Sequence, residues 1–280
     1  LIQMLRSAKK RDVLQLLRRA PGEMLPFVVE AAVAAQSVAS LAALSEFLDF
    51  SKEPKSLLEQ FLYAASFSPR PSGELLHLVL DKLDGKQLAP EVQEAGILAM
   101  GSLVSKLCQQ KLCGLQVGPL QTFLAGLTFS RSTRNISCPS HPEQEVRRGM
   151  ETILRGLRGA EKESEVVIYL LALGNAARPE TIPTLLEHAE EGPTSITTAA
   201  ISALQRFPTW HISDKVKQAM RRVFHQKRKS YEQTCRLAAA EILLDHEPSP
   251  MDAINLLLAT TEMETETATF LLLKVQNILR

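Results

Sequence analysis

The sequence predicts an all-α protein in which helical hairpins stack into an α-solenoid of the HEAT type. Three observations carry that prediction. First, small and branched residues recur in register: Ala199-Ala200-Ile201-Ser202-Ala203-Leu204 returns as Ala238-Ala239-Ala240-Glu241-Ile242-Leu243, 39 positions on. Leu62, Ala64 and Pro71 likewise return 108 positions later as Leu170, Ala172 and Pro179. Repetition on this scale marks units too small to bury an apolar face alone. Second, Leu and Ala dominate while aromatic residues make up only 5%, a balance suited to helix-on-helix packing rather than a β core. Third, helix start signals are frequent and the spacers between periodic runs are short, as antiparallel neighbours require.

Taken in order, the periodic runs predict helices over 8–18, 23–36, 38–49, 55–67, 73–84, 91–107, 118–127, 144–157, 163–176, 181–190, 195–206, 214–228, 232–245, 251–260 and 265–280. The clearest start is Ser249-Pro250-Met251-Asp252, with a capping serine, proline at the first helical position and a carboxylate at the third. Ser7, Ser37, Ser72, Thr194 and Ser213 occupy similar places. Pro21, Pro54, Pro71, Pro90, Pro179, Pro208 and Pro248 fall between runs or in first turns, where a missing N–H does little harm. The stretch from Thr128 to His141 lacks a helical period and carries Pro139, which predicts an inserted surface loop over 128–142 within a single domain spanning 1–280.

Composition limits function. Hydrophobic residues at 45% and charged residues at 22% exclude a disordered chain, and a net charge of +1 gives no global attraction to nucleic acid or membrane. No apolar run approaches the ~20 residues that cross a bilayer. The chain starts without a targeting segment and stops inside a helical pattern, which reads as an interior piece of a longer protein. A glycine-rich phosphate loop, a dinucleotide fingerprint and a nucleophile elbow are all missing. His77, His141, His188, His211, His225 and His246 show no metal-ligand spacing. No catalytic centre, metal site or cofactor is assigned.

Charge is nonetheless unevenly placed. Lys215 to Arg236 holds eight Lys or Arg and one acid, Glu232, whereas Leu237 to Leu273 holds seven acids and no Lys or Arg. On a wheel, Val216, Ala219, Met220 and Val223 form the buried stripe of helix 214–228. Lys217, Arg221, Arg222, Arg228 and Lys229 point away and, with His225, form a candidate docking face for an acidic protein. The alternative is that the basic and acidic blocks neutralise each other across neighbouring helices. Arg236 differs, lying on the side of Ala239, Ala240 and Leu243. A buried guanidinium without a carboxylate is costly, so an acid on an adjacent helix is predicted to complete a structural ion pair.

Cys108 and Cys113 lie too far apart for a disulfide in a continuous helix but within reach if the helix ends between them. Two unpaired core thiols remain the alternative. Cys138 and Cys235 have no evident partner. Asn135-Ile136-Ser137 forms a glycosylation sequon inside the predicted loop.

Several segments together resemble the helical domain of the vitellogenin-like large lipid transfer proteins, in the microsomal triglyceride transfer branch. They are Leu5-Arg6-Ser7-Ala8-Lys9-Lys10, Leu44-Ser45-Glu46-Phe47-Leu48-Asp49-Phe50, Phe61-Leu62-Tyr63-Ala64, Leu103-Val104-Ser105-Lys106-Leu107-Cys108-Gln109, Tyr169-Leu170-Leu171-Ala172-Leu173 and His225-Gln226-Lys227-Arg228-Lys229. The likeness runs through nearly the whole chain in order, except around 128–142, so it does not extend to Asn135. It implies a two-layered, right-handed superhelix framing a lipid cavity built mostly by β-sheets elsewhere. It further implies work in the endoplasmic reticulum lumen, bound to protein disulfide isomerase, moving triglyceride, cholesteryl ester and phospholipid to apolipoprotein B. The later helices are those the family is expected to turn towards these partners, and Cys108–Cys113 matches a pair expected to be bridged. The competing expectation, from composition alone, is a cytosolic HEAT- or armadillo-type adaptor.

Overall fold

The computed structural model describes residues 1–84, 88–114 and 143–278, with the side chains of 110–114 and 143 outside that description. Its helices are α1 Ile2–Ser7, α2 Lys10–Arg19, α3 Leu25–Ala35, α4 Val38–Phe47, α5 Lys55–Phe67, α6 Gly73–Leu83, α7 Pro90–Gly114 and α8 Glu143–Gly159. There follow α9 Glu163–Ala176, α10 Ile182–Glu191, α11 Thr194–Leu204, α12 Asp214–Phe224, α13 Gln233–Asp245, α14 Pro250–Ala259 and α15 Thr265–Ile278. No strand occurs among the described residues. The fold is all-α, as the sequence predicts.

The chain divides into two compact units, Leu1–Leu154 and Arg155–Arg280. Within the first, α1, α3, α5 and α7 pack in succession, and α2, α4 and α6 form a second row. Within the second, α9, α11, α13 and α15 form one row, and α10 packs on α12 in the other. Helices two apart in sequence are therefore neighbours in a layer, which is the geometry of stacked hairpins. The 39-residue register now has a physical meaning: its two copies lie on α11 and α13, which pack directly on each other. The 108-residue register places Leu62 and Ala64 on α5 and Leu170 and Ala172 on α9, all buried.

The cores follow the wheels. Leu41, Leu44, Phe61, Leu62, Leu76 and Leu103 are fully enclosed in the first unit, and Leu170, Leu173, Ile201, Val216, Met220 and Val223 in the second. Each such side chain contributes roughly 1.5–3 kcal/mol on burial. Small residues set the closest approach. A Cβ on Gly174 of α9 would stand 2.6 Å from the Ala203 Cα on α11, so only glycine permits that contact.

Helix ends explain where the predicted boundaries hold or shift. Ser37 and Ser72 accept hydrogen bonds from Ser40 N–H and Leu75 N–H, and Ser249 and Asp252 form a reciprocal capping box. Ser213 takes the cap position of α12 without a side-chain bond. Thr194 is instead the first residue of α11, behind Pro193. Ser7 ends a short helix over Ile2–Ser7 that the periodicity does not reveal, and the next helix starts at Lys10. Six residues are too few to show a 3.6 period. The helix expected over 91–107 runs on to Gly114. The helix expected over 118–127 and the loop over 128–142, with Asn135 and Cys138, lie outside the described residues.

Carbonyls at helix ends receive cations from the helix stacked next. Lys82 Nζ donates to the Leu48 carbonyl at the end of α4, and Lys106 Nζ to Ser66 and Ser68 at the end of α5. Each ammonium also stands over a ring, Phe50 at 5.9 Å and Phe67 at 5.8 Å. Orphan carbonyls and the negative helix end favour a cation here, and the aromatic face adds to it.

Candidate functional site

Helix α12 lies against α13 and α10 within the second unit, with Val216, Ala219, Met220, Val223 and Phe224 buried. Its cations leave the opposite flanks, where neighbouring helices present acids. Arg222 makes a two-pronged pair with Glu190 near the end of α10, its Nε at 2.5 Å and its Nη2 at 3.2 Å. Arg228 approaches the same carboxylate and that of Glu191, each at 3.5 Å. On the other flank Arg221 grips Asp252, its Nε at 2.6 Å and its Nη2 at 2.8 Å. Asp252 is thus shared between the capping box of α14 and a guanidinium of α12. The Arg221 hydrogen bonds, aided by Ser249, hold its carboxyl down to about 2.

Backbone acceptors take up the rest. Lys217 Nζ donates to the Glu247 carbonyl at 3.0 Å, and Lys229 Nζ to that of Gly192. Tyr231, whose ring lies 4.9 Å from Lys229 Nζ, donates its hydroxyl to the Glu190 carbonyl at 2.8 Å. Burial, then the nearby Glu190 carboxylate, pushes the Tyr231 phenol up. His225 is half-buried edge-on to Phe224, and burial followed by Lys227 and Arg236 pushes its imidazole down. Gln226 takes a left-handed backbone with φ 53° and accepts from Ser230 Oγ and Tyr231 N–H, which fixes the turn carrying Lys227 and Arg228.

Five of the six residues predicted to form a free docking face therefore already hold partners inside the unit. Neutralisation by neighbouring helices also operates, but not mainly by the downstream acidic block. For these five side chains, among the described residues, only Asp252 and the Glu247 carbonyl come from that block; Glu190 and Glu191 lie upstream, on α10. No short-range spacing links residues 32 positions apart across a layer, so this pairing is not legible in the sequence.

Arg236 is buried, as its place on the wheel predicts. Its partner corrects the prediction: among the described residues no carboxylate lies within 4.0 Å of the guanidinium. Nε instead donates to the Phe224 carbonyl at 2.9 Å, and the guanidinium stands 5.3 Å from the centre of the Phe224 ring. Burial pushes its pKa down, and only Glu262, acting through space, opposes that. Arg236 repeats the arrangement of Lys82 and Lys106, a cation at a helix end and over an aromatic face. A carbonyl and a ring satisfy the charge without an acid.

Cys113 falls where side chains are not described, so the Cys108–Cys113 pairing lies outside the described residues. Cys235 is buried, its sulfur 3.2 Å from Thr198 Oγ1. Among the described residues no group of three or more His, Cys, Asp or Glu could hold a metal ion, and no helix is long and apolar enough to cross a membrane.

One feature passed over in the sequence is a second basic segment. Leu1 to Ala20 contains six Lys or Arg and one acid, Asp12. Arg6, Lys9, Arg11 and Arg19 are exposed there. The count alone would have found it.

Comparison with known proteins gives this arrangement its relatives. The family described as the vitellogenin TPR domain matches residues 1–268. The microsomal triglyceride transfer protein large subunits of Homo sapiens and Bos taurus are each 39% identical over 280 residues, all of this chain and 28% of theirs. That of Danio rerio is 35% identical over 281 residues, covering 29% of its length. The chain thus spans under a third of these curated relatives. A solved lipovitellin structure, described for its lipid–protein interactions, aligns with a TM-score of 0.68 at 17% identity, over 93% of this chain and 25% of that one. That likeness carries the fold.

Proposed function

The chain belongs to the vitellogenin TPR domain family, and we propose that it is the helical scaffold domain of a lumenal lipid transfer protein. The whole protein moves triglyceride, cholesteryl ester and phospholipid for lipoprotein assembly in the endoplasmic reticulum lumen. This domain frames the lipid cavity and binds protein disulfide isomerase and apolipoprotein B. The observation that carries the reading is identity of 35–39% running through the entire chain to triglyceride transfer subunits, joined to a fold of stacked helical hairpins. Transfer breaks no covalent bond. Its barrier is the exposure of apolar lipid to water, which a wall lowers by shape alone.

Isomerase binding is assigned to the flank of α12 and the turn after it, with Lys217, Arg221, Arg222, His225, Arg228 and Lys229. Lys217, Arg221, Arg222 and Lys229 brace that flank through their internal contacts. Arg228, about half exposed and paired only at 3.5 Å, offers the partner a charge. The Cys108–Cys113 bridge belongs to the same lumenal reading.

The test is lipid transfer and isomerase capture in the full-length protein. Arg228→Glu together with Lys227→Glu is expected to weaken isomerase capture while far-UV circular dichroism stays unchanged. Undiminished capture removes the basic turn from the interface. Failure of the full-length protein to move triglyceride between vesicles overturns the transfer reading itself.

A further inference from the structure

We propose that the row of turns along one edge of the second unit is an acid-labile latch, held shut near neutral pH and released when His211 and His246 take up protons. Three turns meet there. The turn between α11 and α12 carries Thr209, Trp210 and His211, the turn between α13 and α14 starts at His246, and Arg178 and Glu180 belong to the turn after α9. His246 is 9% exposed, and its Nδ1 lies 3.2 Å from Thr209 Oγ1, so the end of α13 is fastened to the turn before α12. Lys217 Nζ, reaching from α12 to the Glu247 carbonyl at 3.0 Å, is a second fastening. The His211 ring stands edge-on to the buried Phe207 at 6.5 Å and tilted against Trp210 at 6.1 Å. Arg206, just before the turn, bonds Asn175 near the end of α9.

The surroundings of both rings disfavour a second charge. Burial, joined by Arg178, pushes the His211 imidazole below its ordinary 6.5. Glu180 opposes this, but it is exposed and already accepts from Arg178 Nε at 2.8 Å. Burial likewise pushes the His246 imidazole down, against Asp245, which is exposed and held by Lys274 Nζ at 3.0 Å; Lys217 adds to the downward push. Once the turns open, both rings titrate in water near their ordinary value. The open form therefore binds protons that the closed form does not, and the closed form loses ground as pH falls from about 6.5. Above that value the two rings contribute no pH dependence. His225 lies at the other end of α12, and Asp252, ionising at about 2, keeps its charge throughout this range. The inference is a property of the fold and does not depend on the lipid transfer reading.

The experiment is amide hydrogen exchange, read by mass spectrometry, on the full-length protein at about pH 7.5, 6.5 and 5.5, with labelling times scaled to intrinsic exchange. Peptides over 205–213 and 243–249 are expected to hold their protection down to about 6.5 and lose it towards about 5.5, while those of α5 and α6 keep theirs. His211→Gln with His246→Gln removes both titrating rings and should leave protection equal at the two ends of the range. Unchanged protection in the parent at the lowest pH overturns the proposal. So does an acid-induced loss that persists in the folded double variant, or one that spreads evenly over α9 to α15. Should the double variant misfold, deuterium uptake at the imidazole C2 positions of the parent decides. Midpoints for His211 and His246 below those of the urea-denatured chain support the latch, and midpoints at or above them overturn it.

Discussion

Helices α2 and α12 are alike on paper and different in place. Both are short, amphipathic and rich in arginine, and both bury an aliphatic stripe against a neighbour. In α12 the arginines reach sideways to acids on the helices before and after it, Glu190 and Asp252. In α2 Lys10 bridges Glu46 and Glu74 from two further helices and Arg18 reaches Glu46 at 3.2 Å, while Arg11 and Arg19 meet no acid among the described residues. Net charge on a helix therefore says little about its role. What decides is whether the next helix in the layer carries an acid at the matching height. Where it does, the cations tie neighbouring helices together; where it does not, they remain exposed.

The comparison predicts a descending series of stability effects. Glu190→Ala should be the most damaging, because it strips the acceptor from Arg222 and Arg228 at once. With Glu190 enclosed and Arg222 about a third exposed, a loss of about 2–3 kcal/mol is expected in urea unfolding. A loss under about 0.5 kcal/mol would make α12 energetically no different from α2.

Asp252→Asn should follow, at about 2 kcal/mol near neutral pH. The sign of its pH dependence is fixed by the direction of the shift. Asp252 ionises at about 2 in the folded chain against an ordinary value near 3.8, so its contribution is complete above that ordinary value. It is lost as pH falls from there through about 2. Acid unfolding curves of parent and Asp252→Asn should therefore converge in that window. Curves that stay parallel down to pH 2 would mean that Arg221 does not hold the ionised carboxylate.

Arg236→Leu comes third, at about 1–2 kcal/mol, the loss of a hydrogen bond to a carbonyl and a cation–ring contact. A broken buried ion pair would give about 3–5 kcal/mol, which is the figure that the sequence-based expectation of an acidic partner implied. Thermal melts of Arg236→Leu distinguish the two. Smallest of all, Arg11→Ala and Arg19→Ala should each change stability by no more than about 0.5 kcal/mol, since both are exposed and neither makes a hydrogen bond or ion pair with a described residue.

How much of this was legible beforehand depends on the range of the interaction. Short-range patterns were readable: Ser249 to Asp252 announced the start of α14 and its capping box, and the wheel of α12 put Val216, Met220 and Val223 in the core. The recurrence of Ala199–Leu204 at Ala238–Leu243 correctly marked two helices that stack. Pairings between stacked helices of one layer were not readable. Glu190 meets Arg222 and Asp252 meets Arg221 across 32 and 31 positions, distances set by hairpin length and by where each helix is capped. Arg236 was placed correctly and partnered wrongly for a related reason. The wheel reports burial, but only the end of the preceding helix shows that a free carbonyl and the Phe224 ring lie within reach. The first helix escaped notice because one and a half turns carry no period.

The most direct measurement is a double-mutant cycle on Arg222 and Glu190, comparing Arg222→Ala, Glu190→Ala and the double variant by urea unfolding. If basic helices in this stack serve first to fasten one hairpin to the next, the coupling energy should be about 1.5–2 kcal/mol in favour of the pair. A coupling indistinguishable from zero would contradict that, leaving burial of the aliphatic stripes as the sole fastening.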